Sequence, residues 1–347
     1  MHRPRTVTAC LFLLALAGTA ICSDPIPTAP AAGDAQLPPT SGPVLLNLTA
    51  NLPPLPASAP AGKIDAASLA SRLAWQIALD RQGFSPGVID GKLGRKARIA
   101  IEAFQRSGGL KPTGLSDQAT AAALGVQPEN ALAQYAVQQA DLDSVGDLPK
   151  GWLEKSKLKW LPYDSLDESL AERFHCSRAL LAELNGGVDL ASLKPGDTLV
   201  VPNVQPPAEL PQVARLTVDL TEKVITIFAA DKVCGLLHCS VAAKEDKLPS
   251  GTAKVVTVAP NPAYLFDPKH WPEVHGIDQK LLIPPGPRNP VGLCWIGLSK
   301  DGYGIHGTPA PEMIGKTGSH GCIRLANWDA QRLGKIVGPG VEVAFIR

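Results

Sequence analysis

The sequence has no excess of charge of either sign, because 33 Lys and Arg residues face 32 Asp and Glu residues, for a formal net charge of +1. No global field therefore attracts nucleic acid or an anionic membrane surface, and both partners are disfavoured. After residue 23 the sequence also has no apolar run long enough to span a bilayer. With 347 residues, 45% of them hydrophobic, the chain has the length and composition of a globular protein of two or three domains.

The N-terminus has the layout of a secretory signal peptide over residues 1–22. Basic residues near the start precede an apolar run at residues 9–17 and then small residues. We therefore predict an exported protein of the periplasm or cell wall. Cys22 raises the alternative of a lipid anchor, but Ile21 is bulkier than the small residue usual before a lipidated cysteine, which favours export without one.

Cysteine is scarce beyond the signal peptide: two of the seven lie within residues 1–22, which leaves Cys176, Cys234, Cys239, Cys294 and Cys322. In an oxidising compartment the four besides Cys322 have the option of forming disulfides, and the sequence leaves their connectivity open. One pairing is disfavoured. Cys234 and Cys239 fall on one predicted strand, about 16 Å apart at the usual rise per residue and beyond disulfide reach.

Two segments of different composition follow the signal peptide. Residues 23–62 are dense in Pro, Ala and small polar residues, which predicts a disordered linker. Residues 63–126 have apolar residues at helical spacing between turn-rich segments, which predicts a small three-helix domain. Its string GFSPGVIDGKLGRKARIAIEAFQRSGGLKPTGLSDQATAAAL resembles the peptidoglycan-binding domain of cell-wall hydrolases, with Asp90-Gly91, Phe104-Gln105 and Gly114 at the expected places. The resemblance implies peptidoglycan as the partner.

A second small module, of α/β type, is predicted over residues 158–204, after a predicted helix near residues 131–140. Its ELN followed by LKPGDTLVVPN resembles a LysM repeat, a fold that recognises glycans containing N-acetylglucosamine. The opening strand usual in that repeat is replaced here by residues 160–164, Trp-Leu-Pro-Tyr-Asp. A purely structural spacer is therefore an equal alternative to a glycan-binding module.

The remainder, residues 213–347, alternates apolar and polar residues in short runs and predicts a mainly β domain. Its residues 305–325 read IHGTPAPEMIGKTGSHGCIRL. Cys322 is a candidate nucleophile, and His306 and His320 are candidate proton acceptors, since a cysteine attacks an amide as its thiolate. Gly321 would let the backbone turn sharply, so that the amides of residues 320–322 point at a developing oxyanion.

Arg324 supplies a fixed positive charge two residues after Cys322. Its planar guanidinium suits bidentate capture of a substrate carboxylate. The alternative is an internal ion pair with Asp329 or Glu312. Ser319 is predicted either to hydrogen-bond within the turn or to serve as a simple turn residue.

The order HGT, ten residues, then SHGCIRL resembles the L,D-transpeptidase catalytic domain (YkuD type) of bacterial cell-wall enzymes. The resemblance implies a β-sandwich fold for the domain, with Cys322 as nucleophile, His306 as general base, and His320 and Gly321 shaping the site. It also implies substrate-binding roles, which fall on Arg324, Ser319, Gly307 and Thr308. The whole chain is thus predicted to be multi-domain, with a mainly β catalytic domain preceded by the helical and LysM-like modules.

In the cycle implied by the resemblance, Cys322 attacks the amide between the third stem-peptide residue and terminal D-alanine, and an amine from a neighbouring stem resolves the thioester as a 3-3 cross-link. No cofactor is required. Water in place of the amine would make a carboxypeptidase, and a decayed domain would leave a cell-wall-binding protein. A zinc site of His306, His320 and Cys322 is a further alternative, although no fourth ligand of matching spacing is evident.

Overall fold

The computed structural model describes residues 68–204, 211–271, 274–319 and 321–347. The predicted signal peptide, the linker at 23–62 and His320 lie outside these residues. The described helices are α1 (Leu69–Arg81), α2 (Arg95–Ser107), α3 (Gln118–Leu124), α4 (Gln139–Asp143), α5 (Trp152–Lys155), α6 (Leu166–Arg173), α7 (Arg178–Leu184) and α8 (Asn327–Ile336). None of them has both the length and the apolar character that a bilayer crossing demands.

The described strands are β1 (Leu132–Ala136), β2 (Thr198–Pro202), β3 (Arg215–Asp219), β4 (Val224–Ala229), β5 (Lys232–His238), β6 (Gly251–Pro260), β7 (Tyr264–Phe266), β8 (Leu281–Ile283), β9 (Cys294–Leu298), β10 (Gly304–His306), β11 (Ile323–Arg324) and β12 (Glu342–Ile346). Helices therefore dominate the first half of the described chain and strands the second. A mainly β domain after a helical region is the predicted arrangement, and it is confirmed.

Helices α1, α2 and α3 pack in one hydrophobic core, and buried glutamines hold the turns between them. Gln76 Oε1 accepts a hydrogen bond from the Gly91 N–H at 2.8 Å, and Gln105 Oε1 accepts one from Gly114 at 2.9 Å. Both glycines have a positive φ, 70° and 67°, which a side chain would strain. The positive φ thus explains why glycine occupies each of these turn positions, and one buried glutamine side chain holds each turn.

Apart from α4 and α5, which lie within residues 137–165, the second module has the order strand, helix, helix, strand. Strands β1 and β2 pair in antiparallel register, with Leu132 opposite Pro202 and Ala136 opposite Thr198. The prediction of a helix at residues 131–140 is therefore wrong. The backbone groups of this segment are satisfied by a strand more than 60 residues away, a partner that local periodicity does not reveal. Residues 160–164 form no strand, and the partner of β2 lies upstream of them, at β1.

Between β1 and α6 the chain makes a long excursion, residues 137–165, that reaches the catalytic domain. There Trp152 of α5 stacks on Phe266 of β7 with ring centroids 4.3 Å apart. The Leu161 N–H donates to the Pro285 carbonyl at 2.8 Å. Leu161, Phe266 and Ile283 are fully buried in a separate hydrophobic cluster, so this excursion is part of the interface between the modules.

Eight of the ten described strands of the C-terminal domain form one sheet in the order β11-β10-β9-β6-β12-β3-β4-β5, and β7 and β8 form a separate antiparallel pair. The ten-residue strand β6 pairs with β12 through its first half and with β9 through its second, and the register shifts between Val255 and Thr257. A bulge bends a strand and lets one sheet curve around its core. The predicted β-sandwich is thus a single curved sheet, a half-barrel closed over its core by α8.

The five cysteines of the described residues are all free thiols. Cys234 lies in β5 and Cys239 follows it directly, as the strand prediction required. Cys176, Cys239 and Cys294 are buried, and burial raises the pKa of each thiol above its ordinary value.

Candidate active site

At the edge of the curved sheet, the predicted base lies on β10 and the predicted nucleophile lies next to the parallel strand β11. Cys322 directly precedes β11, which runs parallel to β10 with Ile323 opposite Ile305 and Arg324 opposite His306. Paired residues, and residues two apart on one strand, project to the same face of a sheet. Cys322, Arg324 and His306 therefore project from one face, and the cysteine and histidine are separated by one strand spacing and two residues along the strands.

His306 is buried, and its hydrogen bonding selects one tautomer. Nδ1 lies 2.7 Å from the Gly307 carbonyl oxygen, and because a carbonyl only accepts, Nδ1 carries the proton. Nε2 is then unprotonated and able to accept. Burial, and then the charge of Arg324, lower the pKa of His306 to about 4, so the imidazole is neutral at pH 7. It is a base ready to take a proton.

Cys322 is half-buried, and its Sγ donates weakly to the Gly302 carbonyl at 3.6 Å. Burial raises the pKa of the thiol, while the Gly304 backbone N–H lowers it by favouring the anion. The resting pair is therefore a neutral thiol beside a neutral imidazole.

Gly304 and Trp295 are two site residues that the sequence did not single out for chemistry. The Trp295 ring stacks beside the His306 imidazole at 5.7 Å between centroids. A Cβ on Gly304 would lie 2.4 Å from that ring, so the glycine makes room for the indole. Gly304 lies two residues before His306 on the same strand. This spacing in the sequence is the signal that would have identified Gly304.

The turn before the nucleophile is organised by Ser319. Its Oγ donates to the Cys322 carbonyl at 2.5 Å and accepts from the Gly321 N–H at 3.2 Å. Gly321 does not have a positive φ, and a Cβ there would meet nothing within 4 Å. The backbone conformation at residue 321 therefore does not require glycine, although we expected a sharp turn there. The absence of a side chain leaves open space next to Cys322. His320 lies outside the described residues.

Arg324 holds the loop that precedes the nucleophile. Its Nη2 donates to the carbonyls of Thr317 at 2.9 Å and Gly318 at 2.6 Å. Among the ion pairs of residues 68–204, 211–271, 274–319 and 321–347, none involves Arg324 with Asp329 or Glu312. The guanidinium stays on the side of the sheet that carries Cys322, and carboxylate capture stays a prediction.

Gly307 and Thr308, predicted to bind substrate, are both buried. A Cβ on Gly307 would lie 2.2 Å from Asn327 Oδ1, and the Thr308 Oγ1 accepts from the Ala310 N–H at 3.3 Å. Their described contacts are internal, and their predicted substrate contacts stay predictions. In the part of the chain that the structure describes, no cluster of three or more His, Cys, Asp or Glu side chains has the arrangement of a metal site.

Comparison with known families gives two matches along the chain. Residues 214–344 match the family described as "L,D-transpeptidase catalytic domain" (YkuD), which includes both His306 and Cys322. Residues 70–124, which contain α1 to α3, match the family described as "Putative peptidoglycan binding domain".

Individual proteins also resemble the chain. "Putative L,D-transpeptidase YkuD" of Bacillus licheniformis is 29% identical over 178 residues, which span 51% of this chain and 92% of that protein. Its namesake in Bacillus subtilis is 29% identical over 179 residues, 52% of this chain and 92% of that protein. A crystal structure of an L,D-transpeptidase from Xylanimonas cellulosilytica aligns over 79% of this chain and 92% of its own, with 15% identity and a TM-score of 0.33.

Proposed function

We propose that this chain, which carries a cysteine-dependent L,D-transpeptidase catalytic domain, forms 3-3 cross-links in peptidoglycan through a thioester on Cys322. The observation that carries the proposal is the pair of parallel strands β10 and β11, which put the thiol and an imidazole with a free Nε2 on one face. The acyl donor is a tetrapeptide stem. The acceptor is the side-chain amine of a neighbouring stem.

In each half of the cycle, His306 accepts a proton and then releases it. His306 Nε2 takes the thiol proton as Cys322 Sγ attacks the carbonyl carbon of the bond to terminal D-alanine. The tetrahedral oxyanion is held by backbone N–H groups near Cys322. The imidazolium then gives its proton to the leaving amine, D-alanine departs and the thioester remains. The acceptor amine attacks this thioester, His306 takes a proton from it, and the thiol is restored with the proton returned.

The open space beside Gly321 supports an approach of the substrate along that side of Cys322, since, its two chain neighbours apart, no described residue has an atom within 4 Å of where a Cβ would be. Arg324, already fixed through Thr317 and Gly318, is suited to attract an anionic stem peptide towards this space. Ser319, Gly307 and Thr308 shape the backbone around it.

The decisive experiment incubates the full chain with purified muropeptides that carry tetrapeptide stems and follows the products by mass spectrometry. We expect release of D-alanine together with dimers in which a tripeptide stem is joined to a tetrapeptide stem. Replacing Cys322 by Ala should lower the rate by about 10⁴-fold or more. The matched control is Cys234→Ala, which removes a half-exposed thiol from β5 at the opposite edge of the sheet.

The pattern of products separates the candidate activities. D-alanine without dimers would indicate a carboxypeptidase, in which water resolves the thioester. If a folded wild type forms neither product and no Cys322 adduct, the chain would be interpreted as a cell-wall-binding protein. Full activity in Cys322→Ala would rule out the thioester route.

The N-terminal part of the chain is proposed to hold the enzyme on its polymer. Helices α1 to α3 would bind peptidoglycan, and the strand–helix–helix–strand module would act as a LysM unit that recognises the glycan. Binding modules raise the local concentration of a catalytic domain on an insoluble substrate. The same reading places the protein outside the cytoplasm, in the periplasm or cell wall, where its substrate lies.

A further inference from the structure

A buried amide lies behind the catalytic histidine. Asn327, the first residue of α8, is fully buried. Its Oδ1 accepts from the Leu293 N–H at 3.1 Å and lies between two glycines, because a Cβ would approach it to 2.1 Å at Gly292 and 2.2 Å at Gly307. Both glycines are required for this close approach. The amide is thus set against the peptide that follows His306.

The Gly307 carbonyl, in the next peptide, selects the histidine tautomer. It accepts from His306 Nδ1 at 2.7 Å, and the Gly307 N–H donates to the Cys294 carbonyl at 3.1 Å. A rotation of the peptide between Gly307 and Thr308 would remove the acceptor from Nδ1. Nothing would then distinguish Nδ1 from Nε2 as the protonated nitrogen. The position of the Asn327 amide therefore bears on which nitrogen faces the thiol.

A carboxylate from another module and two backbone groups orient this amide. Asn327 Nδ2 donates to Glu172 on α6, at 3.2 Å to Oε1 and 3.0 Å to Oε2, and more weakly to the Pro287 carbonyl at 3.4 Å, while Oδ1 accepts from the Leu293 N–H. The Tyr163 hydroxyl donates to the same Oε1 at 2.8 Å. Because a carboxylate oxygen accepts, it fixes Nδ2 on its own side and leaves Oδ1 to face Gly307 and Leu293.

We propose that Glu172 and Asn327 are positioning residues for His306, and that the upstream strand–helix–helix–strand module thereby completes the active site. Glu172 helps to orient the Asn327 amide, and the amide packs against Gly307 and restricts rotation of its carbonyl. That carbonyl keeps the proton on Nδ1 and leaves Nε2 free for Cys322. The inference deepens the proposed function and rests on it for the identity of the base.

Burial raises the pKa of Glu172 to about 7, against the lowering effect of its hydrogen bonds with Tyr163 and Asn327. The protonated acid still offers an oxygen to Asn327 Nδ2. A glutamine at this position offers the same oxygen without the charge, so Glu172→Gln is the conservative variant. Glu172→Ala removes the acceptor, and Glu172→Met removes it while keeping side-chain length, should the alanine variant not fold.

The matched control is Glu168→Gln on the same helix. Glu168 pairs with Arg288 of the catalytic domain at 2.8 Å, so this variant weakens the same interface at another point and leaves the Asn327 amide alone. A role limited to docking the module would make the two sites behave alike. A role in positioning His306 would separate them.

The first measurement is the imidazole nitrogen spectrum of selectively ¹⁵N-histidine-labelled full chain, with the His306 signals assigned by their loss in His306→Gln. In the wild type and in Glu168→Gln we expect the Nδ1–H tautomer at pH 7. In Glu172→Ala we expect that signature to give way to a mixture of tautomers. In Glu172→Gln we expect it to persist.

The second measurement is the turnover of muropeptides that carry tetrapeptide stems. Glu172→Ala should lower kcat between about tenfold and about 100-fold with little change in KM, the scale of a small misplacement of a catalytic group. Glu172→Gln should keep most of kcat. A wild-type tautomer in Glu172→Ala, or an equal loss in Glu168→Gln, would overturn the inference. A wild type that shows the Nδ1–H tautomer yet makes no product would defeat only the proposed function.

Discussion

At the scale of residues, the site rests on a thiol and an imidazole that are both uncharged. Burial lowers the pKa of His306 to about 4 and raises that of Cys322 above its ordinary value. A pair of this kind differs from a preformed thiolate–imidazolium pair, whose nucleophile is anionic well below pH 7. The Gly304 N–H is the described group that favours the sulfur anion, and it acts most strongly when the proton has left.

The expected result is an alkylation rate of Cys322 that rises with pH. Between about pH 6 and about pH 8 the rate with iodoacetamide should increase close to tenfold per unit, because the thiolate fraction grows tenfold per unit below the pKa. The measurement is mass-spectrometric mapping of labelled peptides, with Cys322→Ser as the control for assignment. A plateau across that range would contradict the neutral pair.

At the scale of elements, β1 changes the interpretation of the second module. Strand β1 pairs with β2 and supplies the module with a strand that the sequence did not predict. Residues 160–164 belong instead to the excursion 137–165. Its first helix, α4, packs on α6 of the module, and its second, α5, packs on β8 of the C-terminal domain.

If this module binds glycan, soluble oligomers of N-acetylglucosamine should compete for it. We expect such oligomers to reduce sedimentation of the full-length chain with insoluble peptidoglycan severalfold at saturation, since one of two binding modules would be occupied. Oligomers of glucose, which lack the acetamide group, serve as the control. Equal sedimentation with and without N-acetylglucosamine oligomers would favour the structural spacer.

At the scale of the whole molecule, three modules meet around Asp80 of α1. Its Oδ2 lies 3.0 Å from His175 Nδ1 in the second module, and its carbonyl accepts from Arg332 Nη1 of α8 at 2.8 Å. The His175 ring also stacks on Trp328 at 4.9 Å between centroids. The helical module reaches the catalytic loop as well, since Lys96 Nζ donates to the Ile314 carbonyl at 2.7 Å. The modules thus share buried polar contacts.

Replacing Asp80 by Ala should lower the free energy of unfolding by about 3 kcal/mol, because Arg332 is left buried without its carboxylate. Thermal or denaturant unfolding measures this. Arg95→Ala is the control: it breaks the exposed pair with Glu222 between the same domains and should cost less than about 1 kcal/mol. Equal losses would show that burial of the Asp80 contacts contributes little.

The pH dependence of the same variant has a definite sign. Burial alone would raise the pKa of Asp80, but the charges of His175 and then Arg332 lower it to about 2 from 3.8. The contribution of this carboxylate is therefore fully present above pH 3.8 and is lost as the pH falls towards about 2. The difference in stability between wild type and Asp80→Ala should shrink over that window.

Much of the proposed chemistry could be predicted from the sequence, because the residues concerned lie within short segments. The HGT and SHGCIRL segments predict a nucleophile and a base, and the glycines at 91 and 114 lie in the connections between helices. The strand at 132–136 was missed because its partner lies far along the chain, and a short Ala-containing run has no periodicity of its own. Asn327 and Glu172 were missed for the same reason, since 155 residues separate the two side chains.

Local pattern therefore specified the order of the modules and the change from helix to strand, and it predicts the reactive groups, since each depends on neighbours within a few residues. Packing across the molecule decided the protonation of Cys322 and His306, through burial, and the tautomer of His306, through the Gly307 carbonyl. It also decided that the modules share one interface. These properties depend on solvent exclusion and on contacts between distant segments, which exist only once the chain has folded.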